Sequence, residues 1–201
     1  MGCIVPPEPH PPPPKNFNSL KLPTVEQQIV YYRLNPINYE SALYFDRSGR
    51  GRFDLPTSSY GICYLGETVE VAFIECFGRQ LGAKFVSREF LRTRNLFTIE
   101  SVRSLKLVNL FGKNLARLGS DSRLTSGDNY EISRWWAEAI YNHPLQVDGI
   151  RYFSRHDNTR LCCGLFERVK DSLVERNLGT IIERDIAQLV EILELYDFGI
   201  D

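Results

Sequence analysis

Glu75 is a carboxylate among apolar neighbours. It sits in Val71-Ala72-Phe73-Ile74-Glu75-Cys76-Phe77, a run whose other members suit an interior. A carboxylate there costs free energy unless something pairs with it. Its residue type allows two readings: a catalytic acid, or an i,i+4 ion pair with Arg79 on a partly exposed face. Two arginines come next. Arg33 ends the β-rich run from Ile29 to Leu34, just before Asn35-Pro36. Arg52 belongs to Ser48–Arg52, Ser-Gly-Arg-Gly-Arg. Glycine lets backbone approach a ligand, and guanidinium forks match phosphate oxygens. This loop fits neither the Gly-x-x-x-x-Gly-Lys phosphate loop nor the Gly-x-Gly-x-x-Gly dinucleotide turn, so as a motif it is weak. Ser154 lies at the tip of Ile150-Arg151-Tyr152-Phe153-Ser154, where a serine also serves as an ordinary turn former.

The elements that must position these residues can be read from pattern. Ile62 and Tyr64 alternate with Cys63 and Leu65, a strand that Gly66 breaks. Thr68 is a helix N-cap and Glu70 suits the first turn. Val69, Ala72, Phe73 and Cys76 then share one helix face. Upstream, residues 29–34 form a strand and Asn35-Pro36 a turn. Gly82–Ser87 and Leu105–Leu110 read as strands, Asn114–Leu118 as a short helix, and residues 88–104 carry no clear signal. Ile132, Trp135, Trp136, Ala139 and Ile140 define a helix that starts at an Asp128/Glu131 capping box and ends at His143-Pro144, with both tryptophans in the core. Asp148-Gly149 is a turn, residues 150–154 and 161–166 are two strands around a polar loop, and Ile182, Ile186, Leu189, Leu193 and Tyr196 make an amphipathic C-terminal helix.

Composition narrows the class. The 201 residues are 43% hydrophobic and 24% charged, which fits one soluble globular domain. Residues 1–23 form a proline-rich tail outside the core, with seven prolines between Pro6 and Pro14; it is either a mobile tail or an arm packed on this domain or a partner. The domain proper runs from 24 to 201. A net charge of −1 argues against a broad nucleic-acid-binding surface. The five cysteines include no Cys-x-x-Cys and read as buried thiols in a reducing compartment. His10, His143 and His156 lie too far apart to suggest a metal site. No apolar run spans a bilayer and no secretory signal is visible, so a cytoplasmic protein is expected.

Five separated segments, in order, resemble the RES domain family. They are Arg33 in Tyr-Arg-Leu, Arg52 in Gly-Arg-Phe-Asp, Tyr64 in Tyr-Leu-Gly, Glu75 in its helix, and Ser154 in Tyr-Phe-Ser. The likeness covers roughly Val25 to Val169. One departure is Asp54, where the family more typically has asparagine; it bears on charge near the loop and on substrate preference. The resemblance implies an α+β domain of ADP-ribosyltransferase type, with a split, strongly curved sheet and flanking helices. It also implies a toxin that consumes NAD+ by hydrolysis, phosphorolysis or ADP-ribose transfer to a protein. The implied partner is an Xre-like antitoxin that blocks the active site, and no metal is implied. The oligomeric state is open, a homo-oligomer included.

The residue types suit that reaction. Breaking the nicotinamide–ribose bond leaves positive charge on the ribose, as in glycoside cleavage. A carboxylate beside the ring stabilises that charge more than the ground state, and Glu75 is the candidate. Arg33 and Arg52 would clamp the pyrophosphate, Tyr64 would border the nicotinamide, and Ser154 would hydrogen-bond near the nicotinamide ribose. A non-catalytic nucleotide- or protein-binding module is the competing reading, although binding alone does not require the carboxylate.

Overall fold

The computed structural model describes residues 9–54, 60–80 and 82–201. Cys3 and the first prolines of the tract fall outside them. In chain order the strands are β1 Thr24–Gln27, β2 Tyr31–Pro36, β3 Ile62–Gly66, β4 Phe85–Val86, β5 Arg94–Ser101, β6 Leu105–Asn109, β7 Gly149–Phe153, β8 Leu161–Phe166, β9 Leu173–Thr180 and β10 Gly199–Ile200. The helices are α1 Val69–Phe77, α2 Arg88–Arg92, α3 Lys113–Arg117, α4 Arg123–Ser126, α5 Tyr130–Asn142, α6 Ile181–Arg184 and α7 Ile186–Tyr196. Eight strands make one mixed sheet in the order β1-β6-β7-β8-β3-β2-β5-β9. Only β6 and β7 run parallel within it.

The sheet is split in its middle. β3 pairs with β8 over five residues, and β2 pairs with β5 over six. Between β2 and β3 a single pair remains, Tyr32 opposite Gly66. Gly66 is tight: a Cβ there would stand 2.6 Å from Val71 Cγ1 and 2.9 Å from the Ala72 nitrogen. The start of α1 therefore presses on the strand end just where the two halves part. Thr68 caps α1 by accepting from the Val71 amide at 3.4 Å. Phe73, Phe77, Leu189, Ile192 and Leu193 share one apolar cluster, so α7 packs with the helix that carries Glu75.

Several expectations are corrected. The strand predicted over residues 29–34 lies at Tyr31–Pro36, so Arg33 is inside it and Asn35-Pro36 extends it. Proline is tolerated because β3 has already left that side, and Pro36 faces Arg94 across the β5 ladder. Strands β5 and β9 arise where no signal was read. Only Phe85 and Val86 of the 82–87 run are extended, and they pair in parallel with β10. Asn129, rather than Asp128, caps α5, its side chain accepting from the Glu131 amide at 2.9 Å. Trp136 is fully buried, whereas Trp135 is 40% exposed. Gly149 opens β7 instead of turning, and buried Asp148 accepts two bonds from Arg103 at 2.7 and 2.8 Å. The C-terminal helix is interrupted at Asp185, whose side chain caps α7 through the Gln188 amide at 2.9 Å.

The proline-rich segment also differs from a tail outside the core. Phe17 and Leu22 belong to the main apolar cluster. Phe17 meets Trp136 edge-on at 5.5 Å and His143 at 5.8 Å. Trp136 Nε1 donates to the Pro11 carbonyl at 3.0 Å. Phe17, Leu22 and the Pro11 carbonyl thus pack on the domain. Cys63, Cys162 and Cys163 are buried and Cys76 half-buried, all as free thiols. Among the described residues no helix is long and apolar enough to cross a membrane, and no cluster of three metal-ligating side chains occurs. Phe17→Ala removes a ring that is only 4% exposed and should lower the unfolding free energy by about 3–5 kcal/mol, read by urea denaturation. An unchanged midpoint would detach the arm from the fold.

Candidate active site

A cleft of about 740 Å³ opens where β2 and β3 part. Tyr32, Arg33 and Leu34 line it from one strand, Tyr64 and Leu65 from the other, and Glu75 from α1. Four of the five residues expected at the site therefore meet there: Arg33, Arg52, Tyr64 and Glu75. Ser154 stands directly behind them.

Glu75 is held by a bond that sequence spacing does not suggest. Its Oε1 accepts from Ser154 Oγ at 2.6 Å, and the Cys162 thiol points at the same oxygen from 3.8 Å. Burial pushes the Cys162 thiol well above its ordinary range, and the Glu75 carboxylate adds to the shift, so the sulfur stays protonated. Arg79 donates to the Glu75 backbone carbonyl at 2.9 Å instead of pairing with the carboxylate. The i,i+4 ion pair is thus replaced by a bond across 79 residues of chain.

Ser154 is 2% exposed. Its oxygen accepts from the His156 and Asp157 amides at 3.0 and 3.1 Å. With both amides directed at its lone pairs, the hydroxyl proton goes to Glu75. Its own amide donates to the Arg160 carbonyl at 2.9 Å, which closes the loop after β7. The Ser154 hydroxyl is thereby committed to Glu75.

Arg52 is 8% exposed and makes no ion pair among the described residues. Its Nη1 donates to the Gly127 carbonyl at 2.6 Å, and its guanidinium stacks over Tyr130 at 4.4 Å. Burial lowers its pKa from the ordinary value. A buried cation without a carboxylate partner is a ready anion site. Arg33 has a different task. Its Nη1 reaches the Ala42 and Tyr44 carbonyls at 2.8 and 3.1 Å and the Cys63 sulfur at 3.1 Å. It ties the segment after β2 to β3 while lining the cleft.

Tyr64 and Asp54 hold the Gly-Arg-Phe-Asp turn. The Tyr64 hydroxyl donates to Asp54 Oδ1 at 2.7 Å and accepts from the Phe53 amide at 2.9 Å. Asp54 Oδ2 accepts from the Gly51 amide at 3.1 Å. Burial raises the Tyr64 pKa well above its ordinary value, with Asp54 contributing, so the phenol remains a donor. Only its ring is left for a ligand. Gly51 is required here, since a Cβ would fall 2.0 Å from Asp54 Oδ1. Arg134 completes the turn from α5, donating to the Gly51 carbonyl at 3.0 and 3.1 Å and to the Gly49 carbonyl. Tyr130 and Arg134 escaped sequence reading because each acts across more than 70 residues; their only trace is a helix face that mixes arginine and tyrosine with apolar residues.

The cleft's charge is one-sided. Arg33, Arg50, Arg52, Arg79 and Arg155 line it against Asp46 and Glu75. Such a surface attracts a polyanion and leaves one fixed carboxylate facing it.

No protein of curated function matches the chain significantly. The fold is similar to that in the crystal structure of the M. tuberculosis MbcT–MbcA toxin–antitoxin complex, with a TM-score of 0.63 and 17% identity over 86% of this chain and 91% of that one. The model of the RES domain matches residues 30–183, a span containing Arg33, Arg52, Tyr64, Glu75 and Ser154, and the chain therefore belongs to the RES domain family.

Proposed function

We propose that this protein is an NAD+-consuming enzyme that cleaves the nicotinamide–ribose bond and acts as the toxin of a toxin–antitoxin pair. The observation that carries this reading is a carboxylate fixed at 2.6 Å by a buried serine, in a cleft whose charged lining is otherwise five arginines and Asp46. An anionic dinucleotide fits the arginines, and a developing ribose cation fits the carboxylate.

In the reaction the C1′–N1 bond breaks and its electron pair leaves with nicotinamide, which becomes neutral. Positive charge spreads over C1′ and the ring oxygen. Glu75 stabilises that charge. Its Oε1 is bound to Ser154, so Oε2 is the oxygen that addresses the ribose. Arg52, assisted by Arg33, takes the pyrophosphate, and the Tyr64 ring borders the nicotinamide. An acceptor then adds to C1′ and gives up its proton. Water gives ADP-ribose, phosphate gives ADP-ribose phosphate, and a protein side chain gives a mono-ADP-ribosylated target.

The toxin assignment draws on family membership and on the fold shared with a toxin solved in complex with its antitoxin. The corresponding partner here is an Xre-like antitoxin that covers the cleft, in the cytoplasm. NAD+ is a substrate, and no step needs a metal.

Purified protein should deplete NAD+, with products identified by mass in the presence and absence of phosphate. Glu75→Gln keeps an acceptor for Ser154 but removes the charge, so kcat should fall by about 10²–10³-fold with NAD+ affinity retained. NAD+ binding without turnover, in wild type and variant alike, would instead favour a binding module. Arg52→Lys keeps the charge and loses the fork. It should weaken NAD+ binding by roughly tenfold or more in a calorimetric titration, while equal affinity would remove Arg52 from the anion site.

A further inference from the structure

The family match ends at residue 183, yet the chain continues through α7 to a tyrosine that reaches back to the site. Tyr196, in the last turn of α7, donates from its hydroxyl to Asp157 Oδ2 at 2.9 Å. Asp157 lies in the loop that follows Ser154. Its other oxygen accepts from Thr159 N and Oγ1 at 3.0 and 2.6 Å. Its backbone amide is one of the two that donate to Ser154 Oγ. A continuous path thus runs from the Tyr196 hydroxyl to the Asp157 carboxylate, from the Asp157 amide to the Ser154 hydroxyl, and from there to Glu75 Oε1.

Asp157 is also held from within the loop, its backbone carbonyl by the Arg160 amide at 3.1 Å and its Oδ2 by an ion pair with the Arg160 side chain, so Tyr196 is the brace that comes from outside the loop. Arg160 Nε lies 3.1 Å from Asp157 Oδ2, but its N–H is not aligned for a hydrogen bond, and Nη1 is drawn 3.5 Å away toward Glu70. Burial by itself raises the Asp157 pKa, yet the hydrogen bonds from Thr159 and Tyr196, with Arg160 nearby, outweigh it and hold the carboxyl below the usual range. Tyr196 is also well placed mechanically. Its ring packs against both the main cluster and the one shared by α1 and α7, as does Phe198, which meets Phe73 of α1 edge-on at 6.2 Å. The C-terminal segment therefore touches Glu75's helix through apolar contacts and Ser154's loop through one hydroxyl.

We propose that Tyr196 is a positioning residue, which braces the Ser154 loop from outside the family-matched region and so fixes the carboxylate of Glu75. The catalytic consequence rests on the NAD+ reading above; the brace itself does not. In wild-type protein and in Tyr196→Phe, amide hydrogen exchange and NAD+ kinetics are measured side by side. Removal of the hydroxyl alone keeps the packed ring. Exchange at the His156 and Asp157 amides should then accelerate at least tenfold, with the Tyr152 amide of β7 unchanged. kcat should fall roughly tenfold with KM for NAD+ within about twofold, since Arg52 is untouched. In a Ser154→Ala background Tyr196→Phe should have no further effect on kcat, because the path is already cut. Unchanged exchange at both amides, or a full additional loss in the Ser154→Ala background, overturns the proposal. If wild-type protein leaves NAD+ intact, the reaction assignment fails, and the exchange result alone decides whether the brace exists.

Discussion

The site exists because two neighbouring strands stop pairing. β2 and β3 share one register pair and then separate, and the cleft occupies the gap. Backbone groups released from a ladder must find other partners. Arg33 supplies part of the answer, binding the Ala42 and Tyr44 carbonyls and the Cys63 sulfur with one nitrogen. A guanidinium thus continues the connection where the peptide ladder ends. The residue has a structural duty and a place in the cleft at once. Substituting it would disturb the rim of the cleft along with any anion it binds.

A second constraint concerns the loop that presents Arg52. Glycine-rich backbone is mobile unless its polar groups are occupied. Here Asp54 takes the Gly51 amide, Tyr64 takes the Phe53 amide, and Arg134 takes the Gly49 and Gly51 carbonyls. The turn is fixed by its neighbours, which leaves Arg52 to make one carbonyl bond and one ring contact. Asp54 accepts on both of its oxygens, from the Gly51 amide and the Tyr64 hydroxyl, a pair of bonds that a carboxylate can make and a single amide oxygen would have to share. Its charge is directed at the turn and the phenol, away from the open cleft.

Local chemistry was legible in the sequence wherever one element contained the whole signal. Glu75 stands out against its apolar neighbours, Thr68 caps the helix that bears it, and Ile132 to Ile140 describe α5. Strand β9 was not legible. It is an edge strand whose exposed positions are Val174, Arg176, Asn177 and Gly179, so its apolar and polar residues do not alternate with burial. Its partner β5 has buried Phe97 and Ile99 at alternate positions, but a helix and a charged stretch adjoin it. Phe17 and Leu22 were hidden by the prolines around them. The links between Ser154 and Glu75, Arg134 and Gly51, and Tyr196 and Asp157 span 79, 83 and 39 residues, so spacing rules had no purchase on them.

The two ends of the chain brace different halves of the same site. The N-terminal arm packs Phe17 on Trp136 of α5, and α5 in turn supplies Tyr130 to Arg52 and Arg134 to the glycine loop. The C-terminal helix packs with α1 and holds the loop behind Ser154. One segment thus supports the side that carries Arg52 and the other supports the carboxylate. The two supports meet in one core. Phe17 and Trp136 share their cluster with Val71 and Ile74 of α1, and Tyr196 and Phe198 pack against that cluster as well as against the one between α1 and α7. Glu75 is thus carried on a helix that both segments help to seat.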